Sequence, residues 1–187
     1  MVSSDGAFGG LNRRSVLSLL EFFCRHPGKS FYVREAAREA GASVGSCNAA
    51  LKTLAGEGFF KESRRGNQLH YSLDATNPAV RQFRVFLNVL ALGGVVDSVK
   101  GDCEKIVLYG SRAAGEEAED SDFDVLFVTN VPEAVRNKLS RRKFLKLSPL
   151  VVDAARLVAL RSKDRPFYDR VMSGIELWRR RDGERRV

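Results

Sequence analysis

Two short apolar runs separated by a fixed polar punctuation constrain this chain more than any other feature. Lys105-Ile106-Val107-Leu108-Tyr109 ends in Gly110-Ser111, Arg112 follows, and ten residues after Ser111 have passed when Asp122-Phe123-Asp124 opens a second run, Val125-Leu126-Phe127-Val128. Each run has the length and β-branched or aromatic content of a buried strand. With Asp122 and Asp124 in the strand, both carboxylates project from one face, about 6.5–7 Å apart, and Phe123, Val125 and Phe127 point into a core. Two strands interrupted by a short helix at Ser111-Arg112 predict a small α/β domain.

The elements around this string extend the prediction. Pro132 to about Lys146 reads as a helix, Leu150-Val151-Val152 as a third strand, and Tyr168 to Trp178 as a closing helix. Upstream, Arg14–Arg25 carries Val16, Leu17, Leu20 and Phe23 at helical spacing and stops at His26-Pro27-Gly28. A very short strand at Phe31-Tyr32-Val33 precedes a second helix that ends at Gly41. Ser43 then caps a third helix, closed by Gly58, with Val44, Leu51 and Leu54 facing inward. Phe59–Ser63 and Leu69–Leu73 form a hairpin around Arg64-Arg65-Gly66-Asn67. Asn77-Pro78 opens a long apolar helix toward Ser98, which serves as connector and offers a dimerisation surface. The expected organisation is therefore α/β (α+β) in two domains: 1–76, a helical linker 77–100, and a small mixed-sheet domain 101–187.

Composition narrows the class of partner. A net charge of +8 over 187 residues suits a phosphate-rich ligand. The basic clusters are Arg141-Arg142-Lys143 and the tail from Arg179 to Arg186, whereas Glu116 to Asp120 is an acidic run read as a solvated loop. Cys24, Cys47 and Cys103 form no metal-ligand spacing and read as buried thiols. No apolar run reads as continuous enough to span a bilayer, and the N-terminus lacks the layout of a signal peptide, so a cytoplasmic protein is expected.

The chemistry sits in the Gly-Ser and Asp-Phe-Asp pair. Gly110 lets phosphate approach the backbone, and Ser111 adds a hydroxyl at a helix start. Adjacent carboxylates repel one another until a hard cation such as Mg²⁺ binds between them. Together these groups would hold a nucleoside triphosphate, with metal neutralising charge at the α-phosphorus.

Gly110-Ser111 followed by Asp122-Phe123-Asp124 resembles the signature of the polymerase-β-like minimal nucleotidyltransferases. The resemblance implies transfer of a nucleoside monophosphate, usually from ATP with Mg²⁺. It implies Asp122 and Asp124 as catalytic metal ligands, and Gly110, Ser111 and Arg112 as nucleotide-binding residues. The third family carboxylate has one candidate here, Asp153, although the family pattern would place it near Ser148 or Pro149. Some relatives of this kind adenylylate a partner toxin, so the acceptor implied is a hydroxyl of unknown identity.

Residues up to about 76 resemble a winged helix-turn-helix. That likeness implies double-stranded DNA as partner, contacted by Ser43, Ser46, Asn48 and Lys52 of the third helix and by Arg64, Arg65 and Asn67 of the hairpin. A winged helix used for protein contact alone is the alternative. For the whole chain two readings compete: a nucleotidyltransferase guided by its DNA-binding domain, and a DNA-binding regulator whose second domain senses nucleotide without turnover.

Overall fold

A computed structural model describes residues 13–141 and 146–181. Arg142, Lys143 and most of the basic tail, from residue 182 on, lie outside the described residues. The chain divides into two compact units, Met1–Arg81 and Gln82–Val187.

In the first unit the order is α1 (Arg13–Arg25), β1 (Ser30–Tyr32), α2 (Val33–Glu39), α3 (Val44–Gly56), β2 (Phe60–Arg65) and β3 (Gln68–Leu73). The strands form an antiparallel sheet in the order β1-β3-β2. Val16, Leu19, Leu20 and Phe23 make the buried stripe of α1, while Leu17 is 52% exposed. Cys47, Ala50, Leu51 and Leu54 make the corresponding stripe of α3. Val44, expected to pack inward, is 50% exposed, because the inward position in that first turn belongs to Cys47. The Cys47 thiol lies 3.5 Å from the Val33 carbonyl, and burial pushes its pKa up to about 11. At the hairpin, Gly66 has φ +58, and among the described residues no non-glycine has positive φ, as a type II′ turn requires.

The long helix α4 (Pro78–Val99) starts where Asn77 accepts from the Ala79 N–H at 2.8 Å, with Pro78 in the first turn. By length and mean hydropathy the segment Pro78–Asp102 is apolar enough to cross a membrane, contrary to the sequence expectation. Its place in the fold accounts for part of that apolarity, since Phe86 and Leu90 stay exposed. Leu92, Val95 and Val99 enter the core of the second unit, and the polar side chains of Arg84 and Asn88 on the same helix are buried too.

The second unit continues with β4 (Lys105–Tyr109), α5 (Ser111–Ala114), β5 (Phe123–Val128), α6 (Pro132–Ser140), β6 (Leu147–Val152), α7 (Ala154–Lys163), α8 (Arg165–Met172) and β7 (Ile175–Arg179). The sheet order is β6-β5-β4-β7, with β5 and β6 parallel and the other pairs antiparallel. Strand alternation divides the apolar residues between two cores. Phe123, Val125 and Phe127 join Ile106, Leu108 and the buried residues of α4 and α6. Leu126 and Val128 join Val107, Tyr109 and Val171 on the opposite face, where α7 and α8 pack.

The closing segment differs from expectation. A single helix from Tyr168 to Trp178 is replaced by α8, a turn at Ser173-Gly174, and an edge strand, β7. The bond-forming edge of β4 is what captures Ile175–Arg179, since β5 occupies only its other side. Gly174 permits this, because a Cβ there would run into the Leu108 carbonyl and sit 2.9 Å from Val107 Cγ1. Gly174→Ala should therefore lower stability by about 1–3 kcal/mol, read from urea unfolding, where a helical Gly174 would have gained stability from alanine.

Candidate functional site

The register of β4 with β5 pairs Tyr109 with Asp124, so the end of one strand and the start of the next lie side by side. Gly110 comes directly after Tyr109 with φ +74 and ψ −160, a backbone state open to glycine. A Cβ on Gly110 would collide with a carboxylate oxygen of Asp124 and lie 3.2 Å from its carboxyl carbon. This close approach joins the two halves of the motif in space. Asp124 is half-buried, whereas Asp122 lies just ahead of β5 and is exposed. Ser111 starts α5, which is a single turn of four residues, so the corner contributes backbone and hydroxyl groups rather than a long helix dipole.

These groups open onto a cleft of about 680 Å³ lined by Tyr109, Gly110, Ser111, Glu116, Asp124 and, from the α8–β7 segment, Phe167, Arg170, Ser173 and Gly174. The size is that of a small-ligand site. Burial raises the Tyr109 pKa; the Asp124 charge raises it further and the Arg170 charge opposes this. Oxygen donors from two carboxylates suit a hard divalent cation that completes its shell with water and phosphate. Among the described residues no third His, Cys, Asp or Glu joins them in a metal-holding group.

Asp153 does not supply that third group. Its carboxylate accepts the Arg156 N–H at 2.7 Å, capping α7. Parallel pairing sets Ser148, not Asp153, beside Asp124, and Asp153 comes five residues later, roughly 16 Å further at the rise of a strand.

Arg112 is also not where the nucleotide-binding expectation put it. Its Nε and Nη2 donate to the Ser121 carbonyl at 3.1 and 2.7 Å, and Nη1 donates to Asn88 Oδ1 at 3.0 Å. The guanidinium lies 4.0 Å over the Phe123 ring, and burial lowers its pKa. A cation so fully committed holds the loop rather than a ligand.

That loop is held by a buried network absent from the sequence expectation. Arg84, 2% exposed, pairs with Glu117, 7% exposed, at 3.3 Å and also donates to the Glu117 carbonyl. Asn88 donates to Glu117 Oε1 at 3.1 Å and to the Arg112 carbonyl at 3.0 Å. Thus the acidic run is not simply a solvated loop: Glu117 turns inward. The readable signal was Arg84 and Asn88 at helical i,i+4 spacing in an otherwise apolar helix.

In the first unit, Ser43, Ser46, Lys52, Arg64, Arg65 and Asn67 are exposed and Asn48 is half-buried. The Ser43 hydroxyl oxygen accepts the Ser46 N–H at 3.1 Å and donates to the Ser46 hydroxyl at 2.9 Å, so both serines are partly engaged in capping. Val44, Gly45, Asn48, Arg34 and Gln68 line an open groove of about 510 Å³. Arg64 and Arg65 are consecutive in β2 and point to opposite faces of the hairpin.

A glycine-serine corner set against Asp124, with the exposed Asp122 two residues before it, lies at one end of a mixed sheet and opens on a cleft of a size for a phosphate ligand. Residues 95–176 match the model of the family described as nucleotidyltransferase domain. Two solved structures are partly similar. One, a protein provisionally named a nucleotidyltransferase from Sulfolobus solfataricus, is 23% identical over 54% of this chain and 87% of its own, with a TM-score of 0.39. The other, the hypothetical protein PyrSV_gp04 of Pyrobaculum spherical virus, is 17% identical over 48% of this chain and 56% of its own, with a TM-score of 0.30. No curated protein matches the chain.

Removing one member of the buried pair leaves the other charge without its partner. Arg84→Met should thus destabilise the second unit by about 3–5 kcal/mol in denaturant unfolding, and adding Glu117→Leu should recover much of the loss. Equal losses in the single and double variants would mean the pair acts through packing alone.

Proposed function

We propose that the second unit is a magnesium-dependent nucleotidyltransferase that moves a nucleoside monophosphate, AMP from ATP, to an acceptor hydroxyl. The observation that carries this reading is the approach of Gly110 to the Asp124 carboxylate, within a segment that matches the nucleotidyltransferase domain family. Asp122 and Asp124 would hold the metal through their carboxylate oxygens, and the bound ion would neutralise charge on the attacking and leaving oxygens. The bare Gly110 backbone admits phosphate next to those carboxylates, and Ser111 offers its hydroxyl. The Arg84–Glu117 and Asn88–Arg112 contacts fix the loop between the two halves, so the groups are positioned before the ligand arrives. The acceptor oxygen forms the new bond to the α-phosphorus as the bond to pyrophosphate breaks, pyrophosphate leaves, and the hydroxyl proton is released to water.

The first unit is, in the same proposal, a winged helix-turn-helix that binds double-stranded DNA in the cytoplasm. Its α-β-α-α-β-β order, the exposed polar face of α3 and the exposed arginines of the hairpin support this reading. The acceptor is a hydroxyl on a partner such as a toxin protein, and two copies of the chain pair on DNA.

A second reading has its own observation. With Ser148 beside Asp124 and Asp153 engaged as a helix cap, the strand position expected to carry the third carboxylate holds a serine, and among the described residues no third group joins Asp122 and Asp124 in a metal-holding cluster. The second unit would then bind nucleotide without turnover and adjust DNA affinity.

Incubation with Mg²⁺, α-labelled ATP and lysate separates the two. Transfer of label to a discrete product, lowered at least about 10²-fold by Asp122→Asn/Asp124→Asn, is expected of the enzyme. Bound ATP without any labelled product would favour the sensor. For DNA, Arg64→Gln and Arg65→Gln should each reduce the slope of log affinity against log salt by about 1, measured by fluorescence anisotropy on duplex DNA. Unchanged slopes for both would remove the hairpin from the interface.

A further inference from the structure

We propose that Arg170 grips the phosphate tail of the bound nucleotide and makes the cleft selective for triphosphate over monophosphate; this rests on the nucleotide reading above. Asp124 and Glu116 bring negative charge to the cleft, and Arg170 is the one cation among the described residues that line it. A nucleoside triphosphate carries several negative charges beyond those a single divalent cation offsets, so a cleft built from carboxylates needs a cationic group on its other wall.

Arg112 cannot be that group. Turning its guanidinium outward would leave the Ser121 carbonyl and Asn88 Oδ1 without their donors in a half-buried setting.

Arg170 is free to serve. Its guanidinium lies 5.2 Å from the Phe167 ring, and among the described residues no acceptor takes its N–H groups. It sits in the last turn of α8, where a positive charge is favoured by the exposed carbonyls of the helix end. The turn after α8 is fixed, since Gly174 lies against the Leu108 carbonyl too closely for a side chain. That contact pins the α8–β7 wall to the end of β4, the strand that delivers Gly110. Tyr109, Asp124 and Arg170 line the same cleft, and Tyr109 feels the opposite charges of the other two. A planar guanidinium with five donors then meets phosphate oxygens in a way that a lysine ammonium cannot fully replace.

The test is equilibrium binding to the intact chain, with Mg²⁺, of a non-hydrolysable ATP analogue and of AMP, measured by calorimetry. Arg170→Gln should weaken the triphosphate analogue about 10- to 100-fold while changing AMP affinity less than about 2-fold. Arg170→Lys should recover part of the lost affinity, and both variants should keep the wild-type melting temperature. Wild-type affinity for the analogue in Arg170→Gln, or equal losses for the analogue and AMP, would overturn the role of Arg170 and leave the nucleotide reading standing. Failure of the wild-type chain to bind either nucleotide would overturn that reading and this inference with it.

Discussion

Arg84 leaves water almost completely, and a guanidinium in that position must find acceptors on whatever packs against α4. It finds them on one residue, Glu117, through both the side chain and the backbone carbonyl. Asn88, one helical turn on, ties Glu117 to Arg112, and Arg112 reaches across to Ser121. Both ends of the segment between the Gly-Ser corner and Asp122 are therefore fastened to one helix or to each other. The cleft depends on this fastening, because a wandering loop would separate Gly110 from the Asp124 carboxylate it approaches.

The cleft itself is shaped as much by missing side chains as by present ones. Gly110 allows its backbone to meet Asp124, and Gly174 allows the α8–β7 turn to lie on β4. A methyl group at Gly174 would clash with a backbone carbonyl inside the sheet, and one at Gly110 would push the Asp124 carboxylate aside and strain a backbone of positive φ. The charged groups divide in consequence. Asp124 stands on the strand side, and Arg170 stands on the helix that returns to the opposite strand edge. The half-buried Arg112 serves structure, whereas the exposed Arg170 is open to a ligand.

Much of the fold was legible because its signals are local. The stripe of α1, the serine cap of α3, the Gly66 turn and the Asn77-Pro78 helix start are each written within a few residues. The same holds for the two central strands, whose apolar runs and alternation need no partner to be recognised. The closing segment was misread because Ser173-Gly174 is a weak stop signal, and the free edge of β4 decides the conformation of the residues beyond it. The helix α7 was not anticipated, although Asp153 is its cap; a residue considered for chemistry had a local structural use. Arg112 was misjudged for a related reason, since its partners Asn88 and Ser121 are distant from it in sequence by very different amounts.

The sequence by itself determined the two strands, the glycine-serine corner and the spacing of the acidic pair. These come from strand period, glycine's backbone freedom and hydrophobic patterning, all of which act over a few residues. Only the tertiary structure decided which groups share the cleft. Parallel pairing of β6 with β5 set Ser148 rather than Asp153 beside Asp124, since register is a contact between strands and not a property of either one. Packing of α4 against the loop drew Glu117 and Arg112 inward. Pairing of β7 with β4 brought Arg170 to the cleft, because an unfilled strand edge binds the segment that can reach it.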